Sequence, residues 1–152
     1  VLTYNLFWWN LYGQRNGGGA GELIAKHAPY DVMGFQECDD VGRVLNDAGL
    51  TDEYGAIQGN HALAIAYKKS LWSILAGGDE DVAEDRREQY YGRRGVQWVR
   101  MKHTENGRTV TVLNHHGPLP VGTGGRCGRH ATAYNILSSV GAHAMPGDAI
   151  VL

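Results

Sequence analysis

Residues 31–37, Asp-Val-Met-Gly-Phe-Gln-Glu (DVMGFQE), decide how the rest of the chain is read. Val32 to Phe35 is a short apolar run that ends abruptly in Gln36 and Glu37. Such a run, bounded by polar residues, predicts a strand covered on both faces. Upstream, Val1 to Trp9 (VLTYNLFWW) is almost continuously apolar and aromatic, and predicts a first strand of the same covered kind. Between them, Asn10 to Gly21 carries glycines at 13, 17, 18, 19 and 21 and predicts a loop. Glu22 to Ala28 then predicts a short helix stopped by Pro29. Downstream, Val41 to Ala48 predicts a second helix, capped by Asp39 or Asp40 and closed by Gly49.

Beyond this unit the pattern turns to strands. Tyr54 to Ile57, Ala62 to Tyr67 and Leu71 to Leu75 are short apolar stretches split by glycine, Asn60 and Lys68-Lys69. Asp79 to Tyr91 is polar and reads as irregular. Gly95 to His103 and Arg108 to His115 flank Glu105-Asn106-Gly107, where Asn-Gly marks a hairpin turn. Pro118 to Gly128 is a glycine-rich loop. Arg129 to His143 predicts a helix with Ala133, Ile136, Leu137 and Val140 on one side. After the Pro146-Gly147 turn, Asp148 to Leu152 opens a last strand with no visible end. The order predicts an α/β (α+β) domain, a layered β-sandwich flanked by helices, with residues 1–152 as a single domain incomplete at its C-terminal side.

Composition bounds the function. The chain has 152 residues, 43% hydrophobic and 20% charged, as a globular core requires. Its net charge of −2 provides no global attraction to nucleic acid or to an anionic membrane. A local basic face is still expected where Arg93, Arg94, Arg100, Lys102 and Arg108 fall close together in sequence. No apolar run approaches the roughly 20 residues needed to span a bilayer. Cys38 and Cys127 form no CxxC or metal-binding spacing, so paired and free thiols both stay open, and compartment with them. Neither Gly17 to Gly21 nor Gly122 to Gly125 completes a dinucleotide fingerprint, and no P-loop pattern occurs.

Three polar residues interrupt or close strands that are otherwise apolar. Asn5 lies within the first, Glu37 leaves the second, and His116 closes the strand that ends in Asn114. Groups at strand ends converge on one crevice in α/β sheets. Alternation separates the two adjacent histidines: Asn114 and His116 share a face with Val110 and Val112, and His115 points the other way. Each residue also has an ordinary structural reading, as a bonded core amide, a loop carboxylate or cap, and a satisfied core histidine.

The combination resembles a known family. LTYNLFWWN (Leu2–Asn10) followed by DVMGFQE resembles the opening of the endonuclease/exonuclease/phosphatase (DNase I-like) superfamily. HALAIAYKKS (His61–Ser70) is similar to its next strand. GRRGVQWVRMKH (Gly92–His103) and GRTVTVLNHHGPLP (Gly107–Pro120) resemble its central hairpin with a closing N-x-H signature. GRHATAYNILSSV (Gly128–Val140) resembles the following helix, and DAIVL (Asp148–Leu152) the strand leading to a Gly-Asp-Phe-Asn motif. The resemblance implies a phosphodiesterase or phosphomonoesterase using Mg²⁺, with Mn²⁺ and Ca²⁺ as alternatives. Glu37 would be the metal ligand, Asn5 would orient a metal-linked or phosphate oxygen, and His116 would hydrogen-bond the scissile phosphate. Apart from the resemblance, the charge pattern of Arg93, Arg94 and Arg126 gives a basic strip in which Arg93 and Arg126 are candidate substrate contacts, and Asn114 is a further candidate.

Departures from the family pattern matter equally. The Asp-Asn pair of Gly-Asp-Phe-Asn and the late Asp-His pair are expected after Leu152, so this stretch alone is expected to be inactive, since general-base catalysis is worth roughly 10²–10⁴-fold. His115 stands where the family often has Thr. The competing reading is a non-catalytic subunit that uses the fold to bind protein partners, suggested by Trp8, Trp9, Tyr12, Tyr90 and Tyr91 in or near loops. Nucleic acid, lipid and nucleotide substrates are not separated by the sequence.

Overall fold

In the computed structural model, residues 1–7, 19–84, 92–117 and 128–152 are described. Strand β1 (Leu2–Asn5) lies parallel to β2 (Val32–Gln36), with Asn5 opposite Gln36. Helix α1 (Gly19–His27) lies between them in sequence, its Ile24 sharing a core with Met33 and Phe35 of β2. It begins within the glycine run read as loop, because Gly21 is where α1 meets the backbone of α2 (Val41–Asp47). A Cβ on Gly21 would stand 2.6 Å from the Asp47 carbonyl carbon. Asp40 caps α2, accepting from the Arg43 amide at 2.9 Å, and Gly49 takes the left-handed turn after it with φ +67°.

Strands β3 (Tyr54–Gln58) and β4 (Leu63–Lys68) complete a first sheet of order β1-β2-β4-β3. The second sheet, β5-β6-β7-β8, consists of β5 (Trp72–Glu84), β6 (Arg93–His103), β7 (Thr109–His115) and β8 (Ala149–Val151). β8 runs parallel to β7 after helix α3 (Gly128–His143). Three apolar layers separate the elements. Leu6, Ile24, Met33, Phe35, Val44 and Leu45 fill the space between the first sheet and α1 and α2. Val32, Ile65, Val99, Met101, Val110 and Val112 fill the space between the sheets. Val82, Val96, Leu113 and Ile136 lie under α3. The layered α/β sandwich flanked by helices is the observed architecture. Among the described residues no helix is long and apolar enough to cross a membrane.

Several expectations are corrected. β2 is buried throughout as expected, but β1 is an edge strand, its burial alternating along the strand. β5 continues to Glu84 through residues read as irregular, because Asp79 to Glu84 pair with β6 despite their charge. On α3, Leu137 is exposed, as is Ala133, and the buried face is Thr132, Ile136 and Ser139. The basic residues do not form one face. Arg93 and Lys102 stand near opposite ends of β6, about 30 Å apart at the rise of an extended strand. Arg100 is instead spent on Asp148, its Nε and Nη2 donating at 2.7 and 2.9 Å. The Asp148 carboxylate also accepts from Thr109, Thr111 and the Met145 amide, which fixes the entry to β8 beside β7. Arg100 above all, then Thr109, holds this enclosed carboxyl far below the usual range.

Candidate active site

Parallel pairing of β1 and β2 brings Asn5 and Glu37 out at the same end of the first sheet. The second sheet is pinned over that end by Asn114. Its amide donates to Phe35 O at 2.8 Å and Ala64 O at 3.0 Å and accepts from Gln36 Nε2 at 2.6 Å. A Cβ on Gly34 would stand 3.1 Å from the Asn114 Oδ1, so glycine there makes room for this bridge. His116, two residues beyond Asn114, is therefore carried to Glu37.

The geometry is close. Asn5 Oδ1 accepts from the Phe7 amide at 2.8 Å, which sets the orientation of the Asn5 amide. Its Nδ2 then donates to Glu37 Oε1 at 3.1 Å and lies 3.3 Å from His116 Nε2. His116 Nε2 is 3.7 Å from Glu37 Oε1, and Arg94 Nη1 lies 3.4 Å from His116 Nδ1. Asn5, Glu37 and His116 are brought together, and Arg94 joins them. His115 faces away, donating through Nδ1 to Gly95 O at 2.8 Å. Burial, helped by the charge of Arg94, lowers its basicity.

Two further observations mark this end as unusual. Among the described residues, the non-glycine positions with positive φ are Phe7, Glu37, His61 and Ala62, at +50° to +55°. All four lie where β1 and β2 end and β4 begins. Each such conformation costs on the order of 1–3 kcal/mol and persists where the surroundings dictate it. Secondly, Glu37 Oε2 is buried and has no hydrogen-bond partner. A carboxylate oxygen left in this way needs a cation or donor, since burying it unpaired is costly. Among the described residues no group of three or more His, Cys, Asp or Glu gathers, so Glu37 is not part of a dense ligand cluster here. This donor set fits a hard, heavily hydrated cation such as Mg²⁺, which takes one or two carboxylates and keeps several waters. Cys38, next to Glu37, does not compete: burial above all, with Asp39 and Asp40 nearby, pushes its thiol up to about 12.

The remaining expected site residues are placed differently. Asn114 is buried inside the sandwich with its polar atoms engaged in bridging the two sheets. Arg93 stands at the edge of the site on the Asp81 carboxylate, 2.8 Å from Oδ2. Arg126 lies outside the described residues, as do Cys127, the glycine-rich loop and the aromatic residues 8, 9, 12, 90 and 91. Sequence reading placed Arg94 only in a basic strip. Counting the hairpin back from Glu105-Asn106 sets Gly95 near His116, so the turn itself held the signal.

No family model matches the chain, and no curated protein matches it by sequence. Solved structures do. An endonuclease/exonuclease/phosphatase protein from Bacteroides vulgatus superposes with a TM-score of 0.68 at 19% identity, covering 93% of this chain and 59% of that one. A mannosyl-6-phosphatase of Bacteroides thetaiotaomicron gives 0.64 at 19% identity, covering 88% and 55%. D. rerio TDP2, solved with a single-strand DNA product, gives 0.67 at 14% identity, covering 98% and 57%. The chain thus spans little more than half the length of these structures. From β1 to β8, it has the endonuclease/exonuclease/phosphatase (DNase I-like) fold.

Proposed function

We propose that this chain contributes the Asn5–Glu37–His116 part of a divalent-metal phosphoesterase site. The observation that carries the reading is the unpartnered, buried Glu37 Oε2 at the point where Asn5 and His116 meet. Glu37 would hold Mg²⁺ through Oε2, while Asn5 fixes Oε1 and thereby the rotamer of the ligand. The ion, when bound, polarises a phosphoryl oxygen and neutralises charge on the leaving group. His116 would donate from Nε2 to a non-bridging phosphate oxygen. A neutral imidazole accepts at one nitrogen only, and donors approach both here, Asn5 Nδ2 at Nε2 and Arg94 Nη1 at Nδ1, so donation from Nε2 to phosphate would require its contact with Asn5 to give way. Arg94 also adds positive charge beside the phosphate.

The test is hydrolysis of bis(p-nitrophenyl) phosphate and p-nitrophenyl phosphate by the gene product as the cell makes it. Mg²⁺ is added or removed with chelator, and DNA, phospholipid and nucleotide substrates form further arms. Metal-dependent turnover is expected, with Glu37→Gln and His116→Ala each lowering kcat by roughly 10²–10³-fold. Turnover indifferent to chelator, or to Glu37→Gln, overturns the reading.

A further inference from the structure

The β3–β4 turn sets a second ionic group against the rim of the site. His61 Nε2 lies 2.7 Å from Asp81 Oδ1, and Arg93 Nη1 donates to Asp81 Oδ2 at 2.8 Å. One carboxylate thus orders two cationic or protonatable side chains. Asn60, the neighbour of His61, is tied down by its amide donating to Asp79 Oδ1 at 3.0 Å.

The placement of the ring is dictated on two sides. A Cβ on Gly95 would come within 2.5 Å of His61 Cδ2, so the imidazole lies directly on the backbone of β6. With Cδ2 against Gly95 and Nε2 on Asp81, the edge left over is Nδ1–Cε1, and the side chain is 28% exposed. Nδ1 makes no hydrogen bond to a described residue. The same holds for Arg93 beyond its contact with Asp81, and its side chain is 69% exposed.

This pair stands beside the catalytic candidates through two backbone links. The Cys38 amide donates to Ala62 O at 2.8 Å, joining the His61-Ala62 turn to Glu37-Cys38. On the other side, Gly95 follows Arg94, whose guanidinium reaches His116, and its carbonyl takes the His115 proton. His61 and Ala62 both have φ near +55°, an unfavourable conformation for two consecutive non-glycine residues. Pinning the turn to Asp79 needs neither a histidine at 61 nor a clamp on its ring.

We propose that His61 and Arg93, ordered by Asp81, form a subsite for a second anionic group of the substrate, a phosphate neighbouring the scissile one. The inference rests on the phosphoester reading of the Asn5–Glu37–His116 site and adds the substrate class: esters that carry two phosphates. His61 contributes its free ring edge and Arg93 its remaining N–H groups. Asp81 is a positioning residue that keeps both side chains from rotating into solvent.

The experiment is equilibrium binding by calorimetry, in Mg²⁺, of thymidine 5′-monophosphate and thymidine 3′,5′-bisphosphate to the gene product and its variants. The bisphosphate is expected to bind on the order of tenfold more tightly than the monophosphate, about 1.4 kcal/mol by the standard conversion. His61→Asn, chosen because asparagine tolerates positive φ, should remove most of that difference and leave monophosphate binding unchanged, and Arg93→Ala should weaken the bisphosphate more than the monophosphate. Asp81→Ala should do the same, and circular dichroism of each variant confirms that the fold is retained. Equal affinities for the two nucleotides, or variants that weaken both alike, overturn the subsite while leaving the Glu37 site standing. Failure of both nucleotides to bind overturns the subsite, and the phosphoester reading is judged separately by the hydrolysis assay.

Discussion

Asn114→Ala removes in one step the side chain that ties β7 to β2 and β4. The amide donates to Phe35 O and Ala64 O and accepts from Gln36 Nε2. With Asn114 only 5% exposed, water does not readily take over these roles. A buried group stripped of its partner costs about 1–3 kcal/mol. Three groups lose a bond here, but Gln36 Nε2 keeps Thr3 Oγ1 at 3.2 Å, which sets its share at the low end. The sum is about 3–5 kcal/mol, a large fraction of the roughly 5–15 kcal/mol typical of a domain. Urea unfolding followed by circular dichroism should show the midpoint falling by about 1–3 M with the slope unchanged. The variant should also bind divalent cations more weakly, since Asn114 holds the strand that delivers His116 to Glu37. A loss below about 1 kcal/mol would refute the reasoning, because the interior bonds would then contribute little to the fold.

Gly21→Ala should destabilise by about 1–3 kcal/mol, since its Cβ would strike the backbone of α2, which cannot rotate aside. Gly141→Ala, on α3 with nothing near its Cβ, should instead stabilise by about 0.5–1 kcal/mol; thermal melts of the two variants should move in opposite directions. Stability should fall as pH drops below the ordinary histidine range. Burial keeps His115 neutral in the fold, so its contribution is present above the unfolded value and is lost as pH falls through the lower, folded one. Asp148 adds a second fall at much lower pH, again because its folded value is depressed, here by Arg100 first. His115→Gln should flatten the first step in urea unfolding between pH 7.5 and 5.5 and leave the acid step in place.

How much of this was legible depended on which physical term decided each element. β2 was legible because a strand covered on both faces must be apolar throughout, and its polar exit then stood out at Glu37. Alternation along β7 was enough to set His115 and His116 on opposite faces, as their different partners bear out. The extension of β5 was not legible. Its charged residues Asp79, Glu80 and Asp81 are satisfied by Asn60, His143 and His61, all distant in sequence. The buried face of α3 was misread because Thr132 and Ser139 take positions that periodicity assigns to apolar residues. Arg94 was hidden by its neighbour, since a pair of arginines reads as a charge pattern until the hairpin register gives each its own partner. The strained turn at His61-Ala62 has only a weak signature in residue type, because histidine is enriched at positive φ but alanine is not.

Whether Glu37 Oε2 holds a divalent cation is tested without requiring turnover by Mn²⁺ titration followed by electron paramagnetic resonance. One Mn²⁺ site competed by Mg²⁺ is expected, weakened on the order of tenfold or more by Glu37→Gln, with the fold unchanged. Equal Mn²⁺ affinity in the wild-type protein and Glu37→Gln would contradict it.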